Sequence, residues 1–204
     1  MEEEQVTVDT ITYPLESPFM VIATQNPVEL DGTYSLPEAQ RDRFTARISI
    51  GYPAQQAELA MVDEHLGRDP LRGLHPVTDV ETLRELIAAV RTIHISPLLR
   101  QYAVELVAAT RTNTEVRLGA SPRATLQLVQ AARAHAALSD RIYVIPDDLQ
   151  AVAVAVLAHR LVLMPQSQVA GRDSAAVITT ILHDVPVPHD ATSARDARAG
   201  RISG

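Results

Sequence analysis

The chain has no cysteine, which excludes a disulfide framework and any thiolate metal site and makes the cytoplasm the expected compartment. Lysine is absent as well, and all 18 basic residues are arginine. A P-loop of the form G-x-x-x-x-G-K-[ST] holds phosphates on backbone N–H groups and uses its lysine to neutralise the β/γ charge, so these residues do not contain one. No apolar run is long enough to cross a bilayer: the longest, 151–164, is interrupted by His159 and Arg160. The start, Met1-Glu2-Glu3-Glu4, is acidic rather than basic and apolar, so secretion is not expected. The net charge is -7 with no basic block, which leaves out the clustered positive charge that nucleic-acid binding requires.

What is present suits a globular protein. The 204 residues are 46% hydrophobic and 21% charged, enough for one good core or two small ones. Residues 5–15 alternate apolar and polar on both sides of Asp9-Thr10, the pattern of a β-hairpin. Residues 19–23 are apolar throughout, as a parallel strand covered on both faces would be. A turn is expected at Asp31-Gly32, a helix start at Ser35-Leu36-Pro37-Glu38, and a third strand at 47–50. From Ala54 onward the period lengthens. Helices are expected over 55–66, over a segment with Leu83, Leu86, Ile87, Val90 and Ile93 on one face, and after Ser96-Pro97. Another should run from Ser121-Pro122 to about Leu138, and one more from Pro146 through His159. Beyond Gln166 a short helix over 173–182 is expected, then a tail too poor in apolar residues to pack. The pattern is a β-rich segment followed by a helical bundle.

Three positions could carry chemistry. In open α/β sheets ligands bind beyond the carboxyl ends of strands, so Thr24, Gln25 and Asn26 follow 19–23 where a site would lie. The Asn26 amide could hold a water or a phosphate oxygen; the plainer alternative is that Asn26-Pro27 is a turn. Arg43, in Asp42-Arg43-Phe44, offers a fork of donors suited to a phosphoryl group, against the alternative of a surface arginine paired with Asp42. Arg123 lies in the first turn of a helix, where a cation opposes the macrodipole unless an anion comes to it. The histidines lack ligand spacing, so no metal site is expected. His159-Arg160 reads as a favourable cation pair at a helix end. No G-x-S-x-G occurs, and a triad hydrolase has no support.

Three stretches, PFMVIATQNPVELDGTYSLPEAQRDRF, GASPRATLQLVQAARAHAAL and YVIPDDLQAVAVAVLAHRL, together resemble the MoxR family of AAA+ ATPases in order and spacing, over about residues 1–185. The resemblance implies an α/β fold class: the C-terminal part of a P-loop core, with a β-hairpin and parallel strands, followed by an all-α lid bundle. It divides the chain into 1–53 as part of the nucleotide-binding core, 54–165 as the lid, and 166–204 as a weakly structured extension disordered from about 186. By the same resemblance Asn26 is sensor 1, which helps to place the attacking water. Arg43 is the arginine finger acting on the nucleotide of a neighbouring subunit, and Arg123 is sensor 2. Position 41 departs from the pattern, with an arginine where the family has an apolar residue.

The implied cofactors are ATP and Mg²⁺. The implied partners are further copies of the chain in a ring, a hexamer being expected, and a protein with a von Willebrand A-type domain; nucleic acid and membrane are not. Since Walker A and Walker B would lie upstream, the chain is expected to begin part-way through the nucleotide-binding domain. Residues 19–23 should then lack sheet neighbours, and the chain alone should not hydrolyse ATP. The family function is ATP-driven remodelling or maturation of partner proteins. The alternative is a non-catalytic homologue that binds a partner or caps a ring.

Overall fold

Apolar spacing at three and four residues, cut by Ser-Pro and Ile-Pro starts, makes the second half of the chain helical, and that is where the core forms. In the computed structural model residues 5–25, 36–67 and 73–188 are described. Two strands, β1 (Gln5–Val8) and β2 (Ile11–Pro14), pair antiparallel as the expected hairpin, Val8 opposite Ile11. Its turn residues Asp9 and Thr10 take positive φ of 47° and 77°. After the short α1 (Glu38–Arg41) come α2 (Gln55–Gly67), α3 (Val80–Thr92) and α4 (Pro97–Thr112). Then follow β3 (Val116–Leu118), α5 (Pro122–Leu138), α6 (Pro146–Leu157), a 3-10 turn (Ala158–Arg160), β4 (Val162–Leu163), α7 (Pro165–Val169) and α8 (Ser174–Asp184).

The helix starts obey local chemistry. Asp79 accepts the Thr82 N–H at 2.7 Å to cap α3, and Ser96 accepts that of Leu99 at 3.2 Å ahead of Pro97. Asp173 likewise caps α8 through the Ala176 N–H at 2.6 Å. The bundle core joins α4, α5, α6 and α8. Leu99, Tyr102, Leu106 and Val107 of α4 and Leu128 of α5 are fully buried with Leu149, Val156 and Leu157 of α6. On α5 the buried stripe is Ala124, Leu128, Ala132 and Ala136, three small alanines and one leucine, and α5 packs more extensively on α6 than on any other described element.

Two expectations change. The parallel strands expected at 19–23 and 47–50 have no ladder partner among the described residues, which at 19–23 agrees with the expected lack of sheet neighbours, and Met20, Ile22, Ile48 and Ile50 are 80%, 76%, 78% and 93% exposed. A parallel strand depends on neighbours and on cover over both faces, and here neither is supplied. The segment from 166 is not a weakly structured extension throughout. α8 coincides with the helix expected over 173–182, and its Val177, Ile178 and Ile181 are buried in the bundle. Asn26, the Asp31-Gly32 turn and the tail beyond 188 lie outside the described residues.

Candidate functional site

Arg123 is presented by a loop with little freedom. A Cβ on Gly119 would lie 2.7 Å from the Thr110 carbonyl oxygen and 2.8 Å from the Arg111 backbone, so only glycine lets this loop press against the end of α4. Ala120 is then fixed from both sides. Its N–H donates to the buried Thr110 hydroxyl at 3.0 Å, and its carbonyl accepts from Arg111 Nε at 2.8 Å. Ser121 follows at the N-cap position of α5 and Pro122 at the first helical position, as expected, with Arg123 half-buried just behind.

The Ser121 hydroxyl does not cap the helix. It donates instead to the Asp42 carboxylate, at 2.9 and 3.1 Å from its two oxygens. Asp42 is 79 residues away, immediately before Arg43, so the hydrogen bond ties the Arg43 segment to the start of the Arg123 helix. The same carboxylate accepts from Arg160 Nη1 at 2.9 Å.

Arg160 is the hub of this contact. Its side chain is 1% exposed, and its other donors reach the carbonyls of Val156 and Phe44 and the Gln127 amide oxygen. Burial pulls its pKa down while Asp42 counteracts, and the nearby charge of Arg123 adds to the downward pull; a guanidinium remains charged at neutral pH even so. Next to it, His159 faces the Phe44 carbonyl with Nε2 and the Ala155 carbonyl with Nδ1, both at 3.1 Å. Burial, the largest influence, holds the imidazole below its usual range. The Arg47 N–H donates to the Ala155 carbonyl at 2.9 Å, which anchors the far end of the segment.

The pairing of Arg43 with Asp42, the plain alternative for this arginine, does not form. Arg43 is exposed and its side chain makes no hydrogen bond or ion pair with a described residue, because Asp42 is engaged by Ser121 and Arg160. Arg41 is in other surroundings. It is half-buried and lines, with Arg47, His159 and Arg172, a cavity of about 690 Å³ of which Arg43 is no part. Arg43 and Arg123 are thus brought to one region, while Asn26 lies outside the described residues.

Sequence reasoning missed Arg160. Its place at a helix end is as expected, and Nε does bond the Val156 carbonyl four residues back, at 2.7 Å. The signal that it does more was its position inside the apolar stretch 151–164, where a charge that cannot reach water must find a buried partner.

The comparisons with known proteins fit this arrangement. The AAA lid domain family matches residues 108–181, and the ATPase family associated with various cellular activities (AAA) matches residues 1–46. A crystal structure from Cytophaga hutchinsonii, ascribed to an ATPase, superposes with a TM-score of 0.84 at 36% identity over 92% of this chain and 59% of that one. The class is therefore AAA+, with its helical lid. An uncharacterised protein of Bacillus subtilis, YeaC, is 42% identical over 96% of this chain. Chaperone MoxR1 of Mycobacterium tuberculosis is 39% identical over 92% of it, and protein MoxR of Paracoccus denitrificans 34% over 82%. The chain belongs to the MoxR family of AAA+ ATPases. It spans 61%, 52% and 56% of the length of these three relatives.

Proposed function

We propose that this chain supplies the arginine-bearing side of an ATP site in an oligomeric ring that remodels or matures partner proteins. Arg43 acts as the arginine finger on the nucleotide of a neighbouring copy, Arg123 as sensor 2, and Asn26 as sensor 1. Residues 1–53 belong to the nucleotide-binding core, and the helical lid begins at 54. The observation that carries the reading is the hydrogen bond from Ser121 to Asp42, which ties the two arginine-bearing segments together while leaving Arg43 exposed. The planar fork of donors on an arginine suits the charged oxygens of a phosphoryl group. A chaperone-like role follows the MoxR relatives, and a partner with a von Willebrand A-type domain is the expected client or co-factor protein.

The fit to ATP and Mg²⁺ is one-sided. Arginine donors match phosphate oxygens, but no lysine occurs in the chain, and among the described residues no group of three or more His, Asp or Glu side chains gathers to hold a cation. Bound Mg·ATP supplies the transferable phosphoryl group; this chain's own residues contribute charge stabilisation at the transition state. A finger is worth about 10³ to 10⁵ in rate only when the phosphates are already cradled.

ATP turnover tests the reading, measured on the 204-residue chain and on the chain joined to the part of the Bacillus subtilis relative outside the match. The chain alone should show none, and the joined protein should turn over ATP as it oligomerises. There, Arg43→Ala should abolish turnover and leave ATP affinity within about twofold, the signature of a group used only in the transition state. Turnover by the chain alone, or full turnover in Arg43→Ala, overturns the reading.

A further inference from the structure

A finger that acts on a neighbour's nucleotide must meet two opposing demands. Its side chain has to be free to reach out, and its backbone has to be held, because a misplacement of about 1 Å costs about 10²-fold in rate. The first is met by the exposure of Arg43 and its lack of a side-chain partner among the described residues. The second needs an anchor, and α1, at four residues, is too short to supply one.

We propose that Arg160 is the positioning residue for Arg43, gripping the finger segment on both flanks and linking it through Asp42 and Ser121 to the start of the helix that carries Arg123. On one flank Arg160 bonds the Asp42 carboxylate, on the other the Phe44 carbonyl, with Arg43 between them. Its guanidinium is rooted in the lid by the Val156 carbonyl and the Gln127 amide oxygen, so the anchor belongs to the bundle core rather than to the surface. His159 on the Phe44 carbonyl and Ala155 on the Arg47 N–H extend the grip by two further points. Asp42 is the only carboxylate paired with Arg160 among the described residues, so a shift of α5 that moves Ser121 pulls on the same oxygens that orient the finger. Lid position is thereby converted into finger position within one subunit.

The inference rests on Arg43 being the finger, and two experiments separate its failure from the failure of that reading. In the 204-residue chain, amide hydrogen exchange is followed in Asp42→Asn, Ser121→Ala and Arg160→Gln. Exchange at the Arg47 amide should quicken about tenfold or more in Asp42→Asn while the buried amides of α5 and α6 keep their protection, as for local rather than global opening. Unchanged exchange in Asp42→Asn sinks the grip whatever the finger does. If Arg160→Gln does not fold, Asp42→Asn and Ser121→Ala still decide, since neither removes a group from the bundle core.

In the joined protein, Asp42→Asn should lower kcat by about 10²-fold with KM for ATP within about twofold, a split that a general loss of stability does not produce. Arg160→Lys, which keeps the charge but loses the planar fork, should fall between wild type and Arg160→Gln. Wild-type kcat in Asp42→Asn, alongside an inactive Arg43→Ala, overturns the positioning role and leaves the finger standing. An active Arg43→Ala removes the finger and the positioning role together.

Discussion

At the residue scale, the site is decided by which partner each polar group finds. Ser121 is a good N-cap by type and place, yet its hydroxyl serves Asp42, and Asp42 is thereby withdrawn from Arg43. The same principle organises the far end of α5. Burial works against ionisation of Asp148, but Arg141, the Ile145 N–H and His135 outweigh it and hold the carboxyl below the usual range. Arg141 engages it through two nitrogens, and His135 Nδ1 lies 2.7 Å away. Gly119 gives a prediction at this scale. In Gly119→Ala the new methyl meets backbone, which cannot rotate away, so the chain should lose about 1–3 kcal/mol, read as a lowered urea midpoint with unchanged slope. An unchanged midpoint would mean that the loop relaxes without cost. Legibility in the sequence was uneven here: Arg43 and Arg123 stood out by motif, whereas Arg160 looked like a routine helix-end cation because burial is not local information.

Among elements, periodicity and punctuation carried most of the reading. The hairpin, the helix starts at Ser96-Pro97, Ser121-Pro122 and Pro146, and the end of α5 at Leu138 agree with expectation, since each depends on residues within one or two turns. The short strands β3 and β4 went unread because their register is set between residues far apart in the chain, Val116 opposite Leu163 and Leu118 opposite Val162, and two or three residues carry no period. The strands at 19–23 and 47–50 have the right composition, but a strand exists only with a neighbour. The α5–α6 contact yields a prediction of its own. Ala132 is fully buried on α5, the helix that packs most extensively on α6, so Ala132→Leu should overpack the core there and cost about 1–3 kcal/mol, seen as a fall in the thermal midpoint. A midpoint equal to wild type would place free space there that close packing does not allow.

For the whole molecule, stability resides in the bundle. The hairpin residues Val6, Val8, Ile11 and Tyr13 are exposed, and Arg84 of α3 ties 5–25 to the helices by donating to the Ser17 carbonyl. Removal of residues 1–25 should therefore change unfolding free energy by no more than about 0.5 kcal/mol in denaturant titration; a larger loss would reveal packing of this segment against the bundle. Acid should act through His159. Its folded pKa is depressed by burial, so below the ordinary histidine value of about 6.5 the unfolded chain binds a proton that the folded chain refuses. The stability is fully present above about 6.5 and is lost as pH falls through the lowered folded pKa. Asp148 and Glu115, whose pKa values are also lowered, add their loss only below the carboxylate range. The urea midpoint should fall between pH 7 and pH 5, and His159→Gln should flatten that slope; an equal slope in the variant would assign the effect elsewhere.

The sequence by itself determined the helical bundle, the hairpin, the family and the two candidate arginines, because caps, periods and motifs are properties of neighbouring residues. The missing lysine settled, with no coordinates, that the 204 residues hold no P-loop of the Walker type. Only the tertiary structure decided that Asp42 belongs to Ser121 and Arg160, that Arg43 is left exposed, and that residues 79 and 118 positions apart form one contact. Whether a charged side chain is solvated or buried depends on what the rest of the chain packs around it, and no local pattern encodes that.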